Sequence, residues 1–377
     1  MGASIRIGRI AGVEIGINWS WLIVFGLITW SLAGAVFPHD NPGLSDESYL
    51  AMAVIAALAF FASILLHELG HAIEARRRGL QIAGVTLWLF GGVARFEGRF
   101  PDAGTEFRIA VAGPLVSLAL GLSLTVAAAS LELPSAFDGV VTWLGYINLS
   151  LLVFNLLPAL PLDGGRILRA ALWRSRRDFI AATRAAAAIG RGIGMLLIFG
   201  GLFLFITVGA FGGAWLAFIG WFLLQGARAE ARYVATEQAL SGLRVRDLMV
   251  ADPVTVDADS TIGRFMDDVA WSQRFTTYPV LDGGSPVGLL AFASMAAVPR
   301  SEWDTRRVRD AIIPLDEVPL LTEEEKAVDA LAELSAPRAN RGLVVDNGHL
   351  AGLLSITDLA RALEVGRRPA QAQGDRG

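Results

Sequence analysis

The sequence predicts a membrane all-α bundle of six helices that holds a small β-hairpin or re-entrant β segment and is followed by a soluble α/β tandem repeat. Three observations lead there. The 377 residues are 54% apolar with a mean hydropathy of +0.51, above the roughly 45–50% of ordinary globular chains. That excess is crowded into the first 226 residues, while charged residues dominate the rest of the chain. From about Leu243, short β-α-β units repeat with a period of about 63 residues. We therefore expect a membrane domain over 1–230, a repeat domain over 243–365 with copies at 243–300 and 308–365, and a disordered tail over 366–377.

In chain order, residues 4–17 come close to alternation, with Ile5, Ile7, Val13, Ile15 and Ile17 apolar and Arg6 and Arg9 interposed. Ala11-Gly12 offers a turn, so a hairpin at the membrane surface is expected. Trp19 to Phe37 is long enough to cross a hydrocarbon core about 30 Å thick. The second span runs from Leu50 to Ile73 and ends at Arg76-Arg77-Arg78. Val85 to Phe96, with Gly91 and Gly92 at its centre, reads as a hairpin or re-entrant strand. The third and fourth spans are Phe107 to Ser130 and about Val140 to Leu157. A basic, Ala-rich amphipathic helix near Asp178 to Ile189 precedes two Gly-rich spans, about Gly192–Val208 and Gly213–Leu224.

Charge fixes the expected orientation. Loops 38–49, 131–139 and 209–212 lack Lys and Arg, whereas 75–108, 166–191 and 226–246 are rich in Arg. The two sets alternate, which predicts a multi-pass cell-membrane protein with cytoplasmic N- and C-termini. Composition also excludes chemistry. With no cysteine there are no disulfides or thiolate metal sites. No basic tract with interleaved aromatics points to nucleic acid. The start of the chain lacks the pattern of a cleaved signal peptide, and Arg6 stands where a myristoylation signal wants Ser or Thr.

The chemistry-bearing stretch is His67-Glu68-Leu69-Gly70-His71, at the end of the second span. Residues four apart share a helix face, so both imidazoles can turn toward one metal ion with Glu68 beside it. This is the H-E-x-x-H spacing of zinc metalloproteases, in a chain with only four histidines. Zinc so held acidifies a bound water, and a carboxylate one residue along can take its proton. His67 lies roughly 25 Å from the outer face at 1.5 Å per residue. Asp163, after the fourth span, reaches a like depth from the same side, so a shared metal is permitted; Asp163 as a helix N-cap is the plainer alternative. Ionisable residues at that depth normally face a cavity or the bundle interior. Asn148 and Asn155, seven apart, can equally be glue between helices.

These stretches carry a resemblance. HELGH in a membrane span, Ala112-Gly113-Pro114-Leu115 in the third, and Asn155-Leu156-Leu157-Pro158-Ala159-Leu160-Pro161-Leu162-Asp163-Gly164-Gly165-Arg166 together resemble the site-2 protease family of intramembrane zinc metalloproteases. The repeat, with Val245-Arg246-Asp247 recurring as Val308-Arg309-Asp310, resembles a pair of CBS domains. The stretch between His71 and Asp163 already holds a full span, so the similarity is to the branch that lacks a PDZ domain. The resemblance implies one Zn2+ on His67, His71 and Asp163, with Glu68 as the catalytic carboxylate. It implies Asn155, Gly91, Gly92, Pro158 and Pro161 near the substrate, a transmembrane or membrane-associated protein cut close to the cytoplasmic face in regulated intramembrane proteolysis. For the CBS pair it implies homodimerisation and an adenosine nucleotide, ATP or AMP, at Ser355 and Asp358; Asp358 as a helix cap is the simpler alternative. The first copy, Ala291-Phe292-Ala293-Ser294-Met295, lacks the matching hydroxyl and Asp. The competing function class is a CBS-regulated transporter or channel whose intramembrane polar residues line a permeation path; metal content and liposome uptake separate the two.

Overall fold

The computed structural model describes residues 4–10, 12–88, 91–97, 100–209, 211–270, 275–335 and 340–364, in two compact units, Met1–Val234 and Ala235–Gly377. The expected tail over 366–377 and residues 89–90 of the expected hairpin or re-entrant strand lie outside the described residues.

In the first unit, β1 (Ser4–Ile10) and β2 (Val13–Asn18) form the expected antiparallel hairpin. β3 (Gln81–Trp88) and β4 (Gly91–Glu97) form a second one. The two hairpins join. β2 pairs in parallel with β3, Ile15 opposite Val85 and Ile17 opposite Leu87, giving one sheet in the order β1-β2-β3-β4. Burial is the cause: Val13 and Val85 form one apolar cluster with Leu69 and Ala72 of the second long helix, so both hairpins cover the same helical stripe.

The first span is a rod, Ser20–Asp40, made of α1 (Ser20–Ser31), a π-helical turn (Leu32–Val36) and α2 (Phe37–Asp40). The wider turn precedes Pro38, whose ring would otherwise meet the carbonyl four residues back. α3 (Asp46–Arg77) is capped by Ser45, with Asp46 and Glu47 in its first turn and Arg76 and Arg77 in its last, matching the helix dipole at both ends. α4 (Ala103–Ser130) is capped by Asp102, which accepts from the Thr105 backbone at 2.9 Å. α5 (Ser135–Asn155), α6 (Asp163–Arg176), α7 (Phe179–Val208) and α8 (Phe211–Leu240) follow.

Two expectations change. The amphipathic helix near Asp178 to Ile189 and the span Gly192–Val208 are one continuous helix, α7. Glycine weakens an isolated helix, but here the glycines are contact points. A Cβ on Gly201 would lie 2.5 Å from Gly213 O and the Ala217 nitrogen, and one on Gly220 would lie 2.5 Å from Gly194 O. α7 and α8 thus touch backbone to backbone, as small-residue membrane helix pairs do. Second, of the six spans expected, five helices among the described residues are long and apolar enough to cross a membrane: Ser20–Asp40, Asp46–Arg77, Ala103–Ser130, Ser135–Asn155 and Phe179–Val208. α8 falls outside that set because its apolar run ends at Arg228, followed by Glu230 and Arg232.

The second unit holds two four-stranded sheets. β5 (Val250–Ala251), β6 (Val256–Asp257), the short α9 (Ile262–Phe265), β7 (Thr277–Asp282), β8 (Ser285–Ala291) and α10 (Phe292–Ala296) come from the first copy. β9 (Ile313–Pro314), β10 (Leu320–Leu321), α11 (Ala327–Leu334), β11 (Arg341–Asp346) and β12 (His349–Ser355) come from the second. The sheet orders are β6-β7-β8-β9 and β10-β11-β12-β5. Each copy therefore lends its leading strand to the other's sheet, and each sends a valine across: Val308 is buried with the first copy's core and Val245 with the second's. Arginines follow the same exchange. Arg307 and Arg309 bond Asp259, holding its carboxyl below the usual range, and Arg244 and Arg246 bond Glu324.

Gly201→Leu should force α7 and α8 apart and cost about 1–3 kcal/mol. Thermal unfolding of the detergent-solubilised protein would register this, and an unchanged melting temperature would rule out the backbone contact.

Candidate metal centre

His67 and His71 lie one turn apart on α3 and face α4. Gly70 lets the two helices close up, since a Cβ there would be 3.0 Å from the Ala112 carbonyl and 2.9 Å from Val116 Cγ2. Gly113 leaves room for the rings: a Cβ at that point of α4 would lie 2.2 Å from His71 Nε2 and 2.7 Å from His67 Nε2. α4 also orients both imidazoles. His71 Nδ1 donates to the Ile109 carbonyl at 2.6 Å, and His67 Nδ1 lies 2.9 Å from Ser117 Oγ. Residues 109, 113 and 117 are four apart and share a face. With Nδ1 donating, each Nε2 keeps its lone pair for the space between the rings, where the two nitrogens are 3.2 Å apart.

Asp163 arrives from a different element. It is the first residue of α6, and Gly164 and Gly165 let that helix start against the preceding loop; Cβ atoms there would lie 2.3 Å from the Leu156 carbonyl and 2.3 Å from the Leu160 nitrogen. The cap position belongs to Leu162, without a side-chain bond, so the Asp163 carboxylate is turned elsewhere. Its Oδ2 is 3.1 Å from His67 Nε2 and its Oδ1 is 3.3 Å from His71 Nε2. All three residues are buried, at 4%, 3% and 8% exposure.

This donor set fits zinc. The three candidate ligand atoms lie within 4.8 Å of one another, and the short contacts match the edge of a tetrahedron around zinc, about 3.3–3.4 Å for bonds of about 2.0–2.1 Å. Two imidazole lone pairs and a carboxylate converging out of water also need a positive charge between them. Hydrogen bonds on the far ring nitrogens are the outer-shell support such sites use.

Glu68, half-buried, lies against β4. A Cβ on Gly92 would be 2.3 Å from Glu68 Cγ and 2.9 Å from its Cδ, so the strand passes the carboxylate at backbone distance. Gly91 is the neighbouring strand residue, paired with Trp88. Asn155 ends α5, half-buried, and Pro158 is exposed in the loop beyond. Pro161 packs on α8, where a Cβ on Gly226 would meet its ring at 2.4 Å. Asn148 is buried and ties α5 to α3, donating to Leu144 O at 2.8 Å and to Ser63 Oγ at 3.3 Å. In the second unit, Asp358 Oδ2 accepts from the Ser355 nitrogen and hydroxyl at 3.1 and 2.5 Å, while Ser355 Oγ accepts from the Asp358 nitrogen at 3.3 Å. These bonds form a capping box at the start of helix 356–364.

Sequence reasoning missed Ser117 and the Ile109 carbonyl. Ser117 left one signal, its place four residues after Gly113 on an apolar helix; a backbone carbonyl leaves none.

Residues 55–138 and 126–199 match the pattern of Peptidase family M50, and 245–294 and 308–365 match that of the CBS domain. Rip3 of Mycobacterium tuberculosis is 40% identical over 373 residues, covering 97% of this chain and 94% of the relative. The chain belongs to peptidase family M50. Zinc metalloprotease MJ0392 of Methanocaldococcus jannaschii is 30% identical over 365 residues, 97% of each chain. A solved site-2 protease from the same organism shares 31% identity, covering 61% of this chain and 96% of that one, with a TM-score of 0.43. This M50 chain is a site-2 protease family zinc metalloprotease with CBS domains, in a multi-pass membrane setting. Membership sets aside the transporter or channel.

Gly92→Val would push Glu68 off its position without touching His67, His71 or Asp163. Cleavage should fall by about a hundredfold while zinc content stays at the wild-type level; unchanged cleavage would exclude close approach of β4 to Glu68.

Proposed function

We propose that this M50 protein is an intramembrane endopeptidase that hydrolyses a transmembrane or membrane-associated protein near the cytoplasmic face, in regulated intramembrane proteolysis that frees a cytoplasmic product. The observation that carries the reading is a carboxylate, Glu68, set between a three-donor metal centre and a glycine strand. His67, His71 and Asp163 would hold one Zn2+ per chain. When bound, it would polarise the scissile carbonyl and acidify a water.

Glu68 takes the water's proton as general base and returns it to the leaving amine as general acid. The Ile109 carbonyl and Ser117 keep both imidazoles in the tautomer that turns Nε2 inward. A helical substrate must unwind before its carbonyls can react, because each is tied up in a hydrogen bond. The outer edge of β4 offers replacement backbone partners beside Glu68, as in strand addition, and Gly91 and Gly92 keep side chains out of the gap. Asn155 at the end of α5, with Pro158 and Pro161 in the loop that leads to Asp163, contact substrate in this reading.

The apolar half of α8, packed along α7 through Gly213 and Gly220, supplies a sixth crossing, and with it both termini are cytoplasmic, in keeping with the arginine-rich loops. The CBS pair dimerises the protein and takes ATP or AMP at the second copy, where Ser355 and Asp358 meet at a helix start and tune activity.

Glu68→Gln is the direct test. It should leave zinc content unchanged and lower proteolysis of a membrane substrate by at least about a hundredfold; retained cleavage would refute the mechanism. The same variant can trap substrates for identification by co-purification.

A further inference from the structure

Arg169 takes no part in the hydrolysis itself, yet it is only 4% exposed. It lies on α6, six residues beyond Asp163, and its guanidinium is held on three sides. Nε and Nη2 donate to Glu106 Oε1 on α4 at 2.7 and 2.5 Å. Nη1 donates to Glu230 Oε2 on α8 at 3.1 Å, and the group lies 5.1 Å from the centroid of the Phe179 ring on α7. Replacing such a buried pair by apolar side chains is often neutral or stabilising, so holding helices together does not by itself explain this one.

Its place does. Glu106, 1% exposed, stands one turn before Ile109 on the α4 face that continues through Gly113 and Ser117. That face orients His71 and His67 through the Ile109 carbonyl and the Ser117 hydroxyl. Arg169 shares α6 with Asp163. The pair therefore links the helix that aims the two imidazoles to the helix that carries the carboxylate. Its reach along each helix is short, about 4.5 Å from Glu106 to Ile109 and about 9 Å from Arg169 to Asp163 at 1.5 Å per residue.

We propose that Glu106 and Arg169 are positioning residues that set the spacing between Asp163 and the imidazoles of His67 and His71, and so the metal affinity of the centre. This inference rests on zinc binding at those three residues. A planar guanidinium fixes direction as well as distance, with three nitrogens bonded at once; an ammonium on a flexible stem does neither.

The test uses the full-length protein in detergent, with zinc affinity read by competition against a chelator and ligand geometry read from the visible absorption of the Co2+-substituted protein. Three variants serve: Arg169→Lys, the pair Glu106→Met with Arg169→Met, which removes both fully buried charges and leaves only the half-buried Glu230 without Arg169, and Glu106→Gln, which keeps the side chain's shape. Folded variants should bind zinc at least about tenfold more weakly, show an altered cobalt spectrum, and lose kcat with KM unchanged. Zinc affinity within twofold of wild type and an unchanged cobalt spectrum, in whichever variant folds, would overturn the proposal. His67→Ala is the separate control. If it binds zinc as wild type does, the zinc assignment itself has failed; if it loses zinc while the Arg169 and Glu106 variants do not, only the positioning role has.

Discussion

Two imidazole nitrogens and a carboxylate held 3.1–3.3 Å apart inside an apolar bundle impose the tightest distance requirement in this protein. The three groups come from two helices that are remote in sequence, and a third helix bonds the far side of each ring. Contacts of that length leave no slack for side chains at the crossings. The glycines of the first unit are where that requirement falls: Gly70 and Gly113 where α3 meets α4, Gly164 and Gly165 where α6 meets the loop before it. Each removes a Cβ that would stand within about 3 Å of backbone or ligand atoms.

A second demand comes from lipid, where backbone groups must be satisfied within the protein. In the loop from Leu156 to Leu162, Ala159, Leu160 and Leu162 are buried with α6, α7 and α8 around them, while Leu156, Pro158 and Pro161 are exposed. The helix that carries Asp163 starts from that loop, so the buried residues that fix the loop also place the carboxylate. Asn148 does a related task, joining α5 to Ser63 of α3 four residues before His67.

Much of this was legible in the sequence because it is local. HELGH specifies a helix face, the Leu-Asp-Gly-Gly run marks a tight helix start, and the repeats near Val245 and Val308 mark a doubled unit. What was not legible depends on pairing across long separations. Nothing within residues 4–17 indicates that β2 pairs with β3, because the apolar alternation that makes a hairpin is the same whichever neighbour covers it. The exchange of leading strands between the CBS copies is hidden for a like reason: β5 and β9 are two residues long and carry no pattern. The fusion of two expected helices into α7 was obscured by glycines, which read as breaks until their contact partners are known.

The four-stranded sheet ends in two edge strands, β1 and β4. β1 offers an edge bearing Arg6 and Arg9, both largely exposed, Arg9 bonded to Glu14 at 2.5 Å and Arg6 3.9 Å from it; charge on an outer strand discourages a stray chain from adding to it. β4, at the far side of the same sheet, is the edge with consecutive glycines beside Glu68. β4 also includes Arg95 and Glu97, so charge alone does not tell the two edges apart; because β2 and β3 fill the interior, a peptide that joins this sheet does so at β1 or at β4. By pairing β2 with β3, the N-terminal hairpin covers the inner flank of the second hairpin, which leaves β4 as the sheet edge that lies beside Glu68.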